Sequence, residues 1–381
     1  MKSQLFRVLS AAGIGFAAFS LSACQSSTET YRGDERSVST PSKHEVKQSM
    51  AATTNRADPE MMAVLEAMQS LNPKPIQSLS AETARSQPTM TDAVMKVMER
   101  QGQSKAPQEV GKIDNLSIPG PAGSIPVRLY VPKGNGPFPI IVYYHGGGWV
   151  IATIDTYDAS ARALTNAAHA IVMSVEYRKA PEYRFPAAHE DAYAAYEWAR
   201  AHGRDINGDP ERIAVAGESA DGNLAGAVSI MARQRGVPVP IHQTLIYPVT
   251  GYDMDTTSYR KNAQAQPLNK AMMGWFFEKY FNSPADANNP MFNLVGADDL
   301  TGLPPASIIT AEIDPLQSEG KRYADRLRAA GVPVMYRNFD GVTHEFFGMG
   351  AVVPDAKQAV QFVGSDLHRS FDQANGRRAQ N

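Results

Sequence analysis

From residue 138 onward the apolar and polar positions follow two rhythms in turn. "PIIVYYH", "AIVMSVEY", "RIAVAGES", "QTLIYPV", "ASIITAEID" and "VPVMYRNF" are short, near-continuous apolar runs, the pattern of strands buried on both faces. Between them lie stretches with helical spacing. One is "TYDASARALTNAAH". Another is "HEDAYAAYEWARAHG", where Ala192, Ala195, Tyr196 and Ala199 recur on one side and Gly203 stands at the expected stop. Further helices are expected after Ser219, from Pro315, and from Pro354, where Val360, Val363, Leu367 and Phe371 share a face. "IDNLSIPGPAGSIPVRLYVP" reads as a hairpin around a Pro-Gly turn. The alternation predicts an α/β fold, a mostly parallel sheet with helices on both faces. Ligands in such sheets bind outside the carboxyl ends of the strands.

Upstream the rhythm differs. "DPEMMAVLEAMQSL" predicts a helix with Asp58 as N-cap and Pro59 at the first position, and "TDAVMKVMER" a second with Thr91 as cap. Their methionines Met61, Met62, Met68, Met90, Met95 and Met98 either fill gaps in packing or line a pocket beneath a flexible lid. Residues 25–50 are polar without periodicity and read as a flexible tether. At the start, Lys2 and Arg7 precede the apolar stretch "VLSAAGIGFAAFSL", which is too short to span a membrane as a mature helix. It ends in "LSAC" and resembles a bacterial lipoprotein signal, which would leave Cys24 as a lipidated N-terminus. A plain secretory signal is the alternative, and both imply export.

Composition removes other classes. Apolar residues at 43% and charged residues at 20% are ordinary for a globular chain. A net charge of −2 gives no electrostatic reason to expect nucleic acid. A single cysteine rules out a disulfide framework and a zinc site built on several thiolates. A metal centre made only of histidines and carboxylates stays open, although no H-E-x-x-H or similar spacing occurs, and no cofactor is indicated.

The chemistry concentrates at the strand ends. "RIAVAG" feeds Ser219 and "NLAGAVSIMARQRG" follows it, the strand–turn–helix setting of a G-x-S-x-G nucleophile. A serine hydroxyl needs a base, usually histidine, and a carboxylate to orient that base. Downstream histidines are His242, His344 and His368. His344 is preferred because it alone lies in a loop just past a strand. For the acid, Asp314 ends the strand "ASIITAEID"; Glu312 lies one pleat deeper and Asp340 is too near His344 in sequence. The rival role for Asp314 is capping the helix from Pro315, and one carboxylate is expected to fill only one of these roles. "YYHGGGWV" offers backbone amides for an oxyanion, together with the amide of Ala220.

In combination and in order, "YYHGGGWV", "VEYRKAPEYRFPAAHEDAY", "VAGESADGNLAGA", "GLPPASIITAEIDPLQSEG" and "GVTHEFFGM" resemble the hormone-sensitive-lipase-like esterases of bacteria, within the α/β-hydrolases. The resemblance runs from about residue 113 to 366. It implies Ser219 as nucleophile, Asp314 as acid and His344 as base. Oxyanion amides would come from Gly147, Gly148 and Ala220, with Gly146 flanking. It further implies cofactor-free cleavage of short- to medium-chain esters under a helical cap. The expected organisation is a signal (1–23), a tether (24–56), N-terminal cap helices (57–110), an α/β-hydrolase domain (111–250 and 286–375) and a cap insertion (251–285). The insertion carries Met272, Trp275, Phe276 and Phe277. Partners would be a small-molecule ester and, through Cys24, a bacterial membrane, on its periplasmic or outer-membrane side; a homodimer stays open.

Two positions depart from the family. Asp221 replaces the glycine expected two residues after the serine, and Glu345 follows the histidine where glycine is common. Glu345 is expected to point to water. Asp221 must find room or push its helix outward, and a charge there would weaken oxyanion binding. A working but slower or altered elbow is expected. A polysaccharide deacetylase or amidase on the same triad, or a binding module with a spoiled nucleophile, remain as alternatives.

Overall fold

The computed structural model describes residues 55–378. The signal, Cys24 and most of the tether therefore lie outside the described residues. The described chain builds one eight-stranded sheet, taking β1 Lys112–Gly120, β2 Gly123–Val131, β3 Phe138–Tyr144, β4 Ile171–Val175, β5 Gly208–Glu218, β6 Gln243–Ile246, β7 Ala306–Ile313 and β8 Val334–Thr343. The spatial order is β1-β2-β4-β3-β5-β6-β7-β8. β1 and β2 form the antiparallel hairpin, β2 pairs antiparallel with β4, and every other neighbouring pair is parallel.

Strand alternation sorts the core into two faces. Ile140, Val142 and Tyr144 of β3, with Ile213 and Val215 of β5, pack among Ala192, Ala195, Tyr196, Leu224 and Val228. The intervening Ile141, Tyr143, Ala214 and Ala216 pack on the other side with Leu164, Val363, Leu367 and Phe371. The helices that cover the faces are α4 Asp158–Ala168, α5 Ala187–His202, α6 Ala220–Gln234, α9 Gln317–Ala329 and α10 Pro354–Arg378. Upstream lie α1 Pro59–Ser70, α2 Ala81–Ala84 and α3 Met90–Arg100, and the insertion holds α7 Thr257–Lys261 and α8 Lys270–Tyr280.

Several element ends differ from expectation. The cap of α3 is Thr89, not Thr91: Asp92 reaches back to the Thr89 amide at 2.7 Å and returns its own amide to Thr89 Oγ1, a reciprocal capping box. Thr91 Oγ1 instead donates to the Thr156 carbonyl. Asp58 precedes Pro59 but its side chain makes no capping bond. Gly203 does cap the end of α5 as expected, but the chain continues from it as a 3-10 turn to Ile206, and Asn207 makes the left-handed turn at φ 60°. The helix after Asp314 starts at Gln317, two residues past Pro315.

Candidate active site

Strand register brings the distant residues together. Tyr144 pairs with Gly217, so the three-glycine loop and Ser219 leave neighbouring strands at one level. At the far edge Ile313 pairs with Thr343, which sets the next residues, Asp314 and His344, side by side. A register shift between Ala311 and Ile313 makes this pairing possible, as three β8 residues oppose one of β7. Gly341 turns within that shift at φ 68°, and Glu312 Oε2 accepts its amide at 3.1 Å. Glu312 thus pins the irregularity that aligns the pair, and Asp340 is spent in it, accepting from Asn338 at 2.6 Å.

His344 Nε2 lies 2.8 Å from Ser219 Oγ, and His344 Nδ1 lies 2.6 Å from Asp314 Oδ2. All three residues are buried, Ser219 at 7% exposure. The expectation that Asp314 fills only one role fails. Oδ2 faces the imidazole, while Oδ1 accepts the Leu316 amide at 2.8 Å, one oxygen for each task. The other histidines stand elsewhere. His242 is buried between Ser307 and Ser370, and His368 is exposed beside Asp372.

Ser219 has φ 60° and ψ −123°, a conformation that a non-glycine residue holds only when its surroundings impose it. Three backbone bonds do so. Its amide donates to the Ile246 carbonyl at 2.9 Å, and its carbonyl accepts from Gly222 at 3.1 Å and Val249 at 3.0 Å. Ala220 opens α6, so its amide is a first-turn donor. In the glycine loop Gly147 and Gly148 take φ 118° and 61°. Side chains are excluded there: a Cβ on Gly146 would fall 2.1 Å from Tyr157 Oη, and one on Gly148 2.1 Å from the Phe276 ring.

The crowding expected at Asp221 falls on its neighbours. A Cβ on Gly217 would lie 1.9 Å from the Asp221 carbonyl oxygen, and one on Gly222 2.7 Å from Pro248 Cβ. These two glycines carry the close strand–helix crossing. The Asp221 side chain points away from it, is fully buried, and meets the Tyr177 hydroxyl at 2.8 Å rather than any helix amide. Nothing pushes α6 outward. Glu345 also departs from expectation. It does not point free to water, because Tyr157 Oη donates to its Oε1 at 2.6 Å, and at φ 70° it occupies a turn suited to glycine.

A carboxylate cluster surrounds the triad that no short-range pattern points to. Glu218, 1% exposed, accepts from the hydroxyls of Tyr143 and Tyr247, and burial pushes its carboxyl up to about 7 against those bonds. The Tyr247 ring centroid lies 4.6 Å from that of His344. The only available signal was a carboxylate in the variable position of the elbow. Burial by itself would lower the His344 pKa; the charge and hydrogen bond of Asp314, with the charges of Glu345 and Glu218, override it and raise it above the ordinary imidazole value. A base works only when neutral, so with His344 in that role activity is expected to fall as pH drops through this pKa. The acid limb of kcat/KM is therefore expected above the ordinary histidine range, and Asp314→Asn, which removes the largest raising influence, moves it to lower pH. A pH–rate profile with the wild-type limb at or below the ordinary value would contradict this.

A cavity of about 580 Å³ reaches Glu218 and Glu345, the chain neighbours of Ser219 and His344. Met90, Met95 and Met98 line it, with Phe347, and Glu218 and Glu345 border it. The other three methionines serve packing: Met61 is fully buried, and Met62 and Met68 pack partly buried against the same core. Trp149 is core as well, stacked on Tyr280 at 4.3 Å. Trp275 Nε1 donates to the Leu79 carbonyl at 3.1 Å, joining the insertion to the N-terminal region.

Known proteins are similar to this chain in sequence and fold. A family model of the alpha/beta hydrolase fold matches residues 141–348. The chain is 43% identical over 249 residues to the carboxylic ester hydrolase LipN of Mycobacterium tuberculosis, covering 64% of this chain and 66% of LipN. It is 41% identical over 254 residues to esterase LipI of the same organism, covering 65% of this chain and 79% of LipI. Among solved structures, the hyperthermophilic esterase of Pyrobaculum calidifontis superposes with TM-score 0.75 at 34% identity, over 82% of this chain and 98% of that one. The chain belongs to the hormone-sensitive-lipase-like esterases of the α/β-hydrolase superfamily and is an ester-hydrolysing serine hydrolase.

Proposed function

We propose that Ser219 attacks the ester carbonyl to form an acyl-enzyme, with His344 as the base and Asp314 as its orienting acid. The hydrogen-bonded series Ser219–His344–Asp314 at 2.8 and 2.6 Å carries this reading. His344 Nε2 takes the Ser219 proton as the Oγ–carbonyl bond forms, then gives it to the departing alcohol oxygen. Water attacks in the second half, again deprotonated at Nε2, and Ser219 leaves. Amides of Gly147, Gly148 and Ala220, flanked by Gly146, stabilise the oxyanion in both halves. No metal or cofactor takes part in these steps.

The acyl chain occupies the cavity bordered by Glu218 and Glu345, chain neighbours of the nucleophile and base. Residues 57–110 and 251–285 form the cap, a reading supported by the Trp275–Leu79 bond and by Phe276 against Gly148. Short- to medium-chain esters are the substrates. Hydrolysis of p-nitrophenyl esters of increasing acyl length tests this. Met95→Trp narrows the cavity and is expected to lower kcat/KM for octanoate by about tenfold relative to acetate. An unchanged length profile would move the acyl chain elsewhere.

The sequence of residues 1–24 supports export and lipid anchoring at Cys24. Cys24→Ser is expected to shift the protein from the membrane to the soluble fraction of a bacterial host; a wild-type protein already soluble would refute the anchor.

A further inference from the structure

Tyr177 Oη lies 2.8 Å from Asp221 Oδ2 and 3.1 Å from the carbonyl oxygen of His145, the residue that opens the three-glycine loop. A phenol has one hydrogen to donate. If Asp221 were ionised, both neighbours would be acceptors competing for that hydrogen. The carboxylate would also be buried with a single hydrogen bond, since Oδ1 has no partner. Such a charge is expensive to bury. A proton on Oδ2 resolves the conflict. The acid then donates to Tyr177 Oη, Tyr177 donates to the His145 carbonyl, and every hydrogen has an acceptor.

We propose that Asp221 is a positioning residue held as the neutral acid, and that the chain Asp221 O–H to Tyr177 O–H to the His145 carbonyl ties the first turn of α6 to the glycine loop. The proposal rests on the reading of Ser219 as nucleophile and of the loop amides as oxyanion donors. It gives the two halves of the oxyanion hole a direct brace, because Ala220 belongs to α6 and Gly147 and Gly148 to the loop. The His145 ring stacks on the Tyr177 ring at 4.8 Å, so Tyr177 holds the loop by side chain and backbone together. The surroundings favour the neutral form. Burial raises the Asp221 carboxyl well above the carboxylate range, the Tyr177 bond and the Lys179 charge oppose this, and Glu218 and Glu345 add to it. Lys179 is itself paired with Glu176. The charge feared beside the oxyanion is thereby absent.

The test compares Asp221→Asn, Asp221→Gly, Tyr177→Phe and the double variant Asp221→Gly/Tyr177→Phe on p-nitrophenyl acetate. Each protein is also titrated with a fluorophosphonate that labels the active serine, and its thermal midpoint is recorded. Asn is neutral, and its amide nitrogen can donate where the acid does. It is expected to keep kcat within about twofold, while Gly and Phe each lower kcat about three- to thirtyfold with KM little changed, the signature of lost transition-state binding. The double variant should be no slower than the slower single one, because all three cut the same chain. If Asp221→Gly melts, Tyr177→Phe, which removes one hydroxyl, carries the comparison. An Asn variant as slow as Gly, or labelled Gly and Phe variants with wild-type kcat, overturns the proposal alone. Absence of labelling in the unaltered enzyme defeats the nucleophile reading, and this proposal with it.

Discussion

Ser219→Ala is expected to lower kcat on p-nitrophenyl acetate by about 10⁴- to 10⁶-fold while leaving the fold intact. In the proposed mechanism the Ser219 hydroxyl forms the acyl bond, with His344 Nε2 2.8 Å away to take its proton. The residual rate would come from the oxyanion amides and from substrate binding, which the change does not touch. Alanine must hold the same φ of 60°, and the bonds from Ile246, Gly222 and Val249 that impose it are all to the backbone. The thermal midpoint should therefore barely move. Equal inertness of wild type and variant would instead favour a binding module. Activity confined to amides or acetylated polysaccharide would favour the other hydrolytic readings.

Asp314→Asn is expected to lower kcat by about 10³- to 10⁴-fold, although it changes the side chain by one atom. The reason lies in the double use of the carboxylate. Oδ1 accepts the Leu316 amide at 2.8 Å, so the carboxamide of asparagine must put its oxygen there. Its NH₂ group then faces His344 Nδ1 at the position now held by Oδ2, 2.6 Å from the ring. A donor at Nδ1 drives the imidazole proton to Nε2, where it faces Ser219, and the base can no longer accept. The fixed orientation removes the escape by amide rotation. Activity within tenfold of wild type would show that Leu316 does not hold the carboxylate in this way.

The parts of the site that were legible in the sequence are those set by neighbours along the chain. Ser219 was found from an apolar run, a glycine and a helix-forming stretch, all within about ten residues. Asp314 and His344 were found because each directly follows a strand. The chemistry of the departures was not legible, since their partners are distant. Asp221 meets Tyr177, which is 44 residues away, and Glu345 meets Tyr157, 188 residues away. The role of Glu312 depends on a register shift in the neighbouring strand, which no single-strand pattern reveals. Helix ends were misplaced for a similar reason. Thr89 and Thr91 are equally good caps by type, and only the reach of Asp92 chooses between them. All six methionines with one composition signal belong to or pack against one core, and only tertiary position decides that Met90, Met95 and Met98 also line the cavity.

The side-by-side placement of Asp314 and His344 through the Ile313–Thr343 pairing also orders events during synthesis. A nascent chain that has emerged only as far as β6 already contains the complete serine turn and the glycine loop, yet carries neither base nor acid. Such an intermediate cannot attack esters or autoacylate in the cell while its core is still open. Competence needs the last strand docked at the sheet margin as well as the central strands, so a chain that lacks β8 is expected to stay inert towards esters.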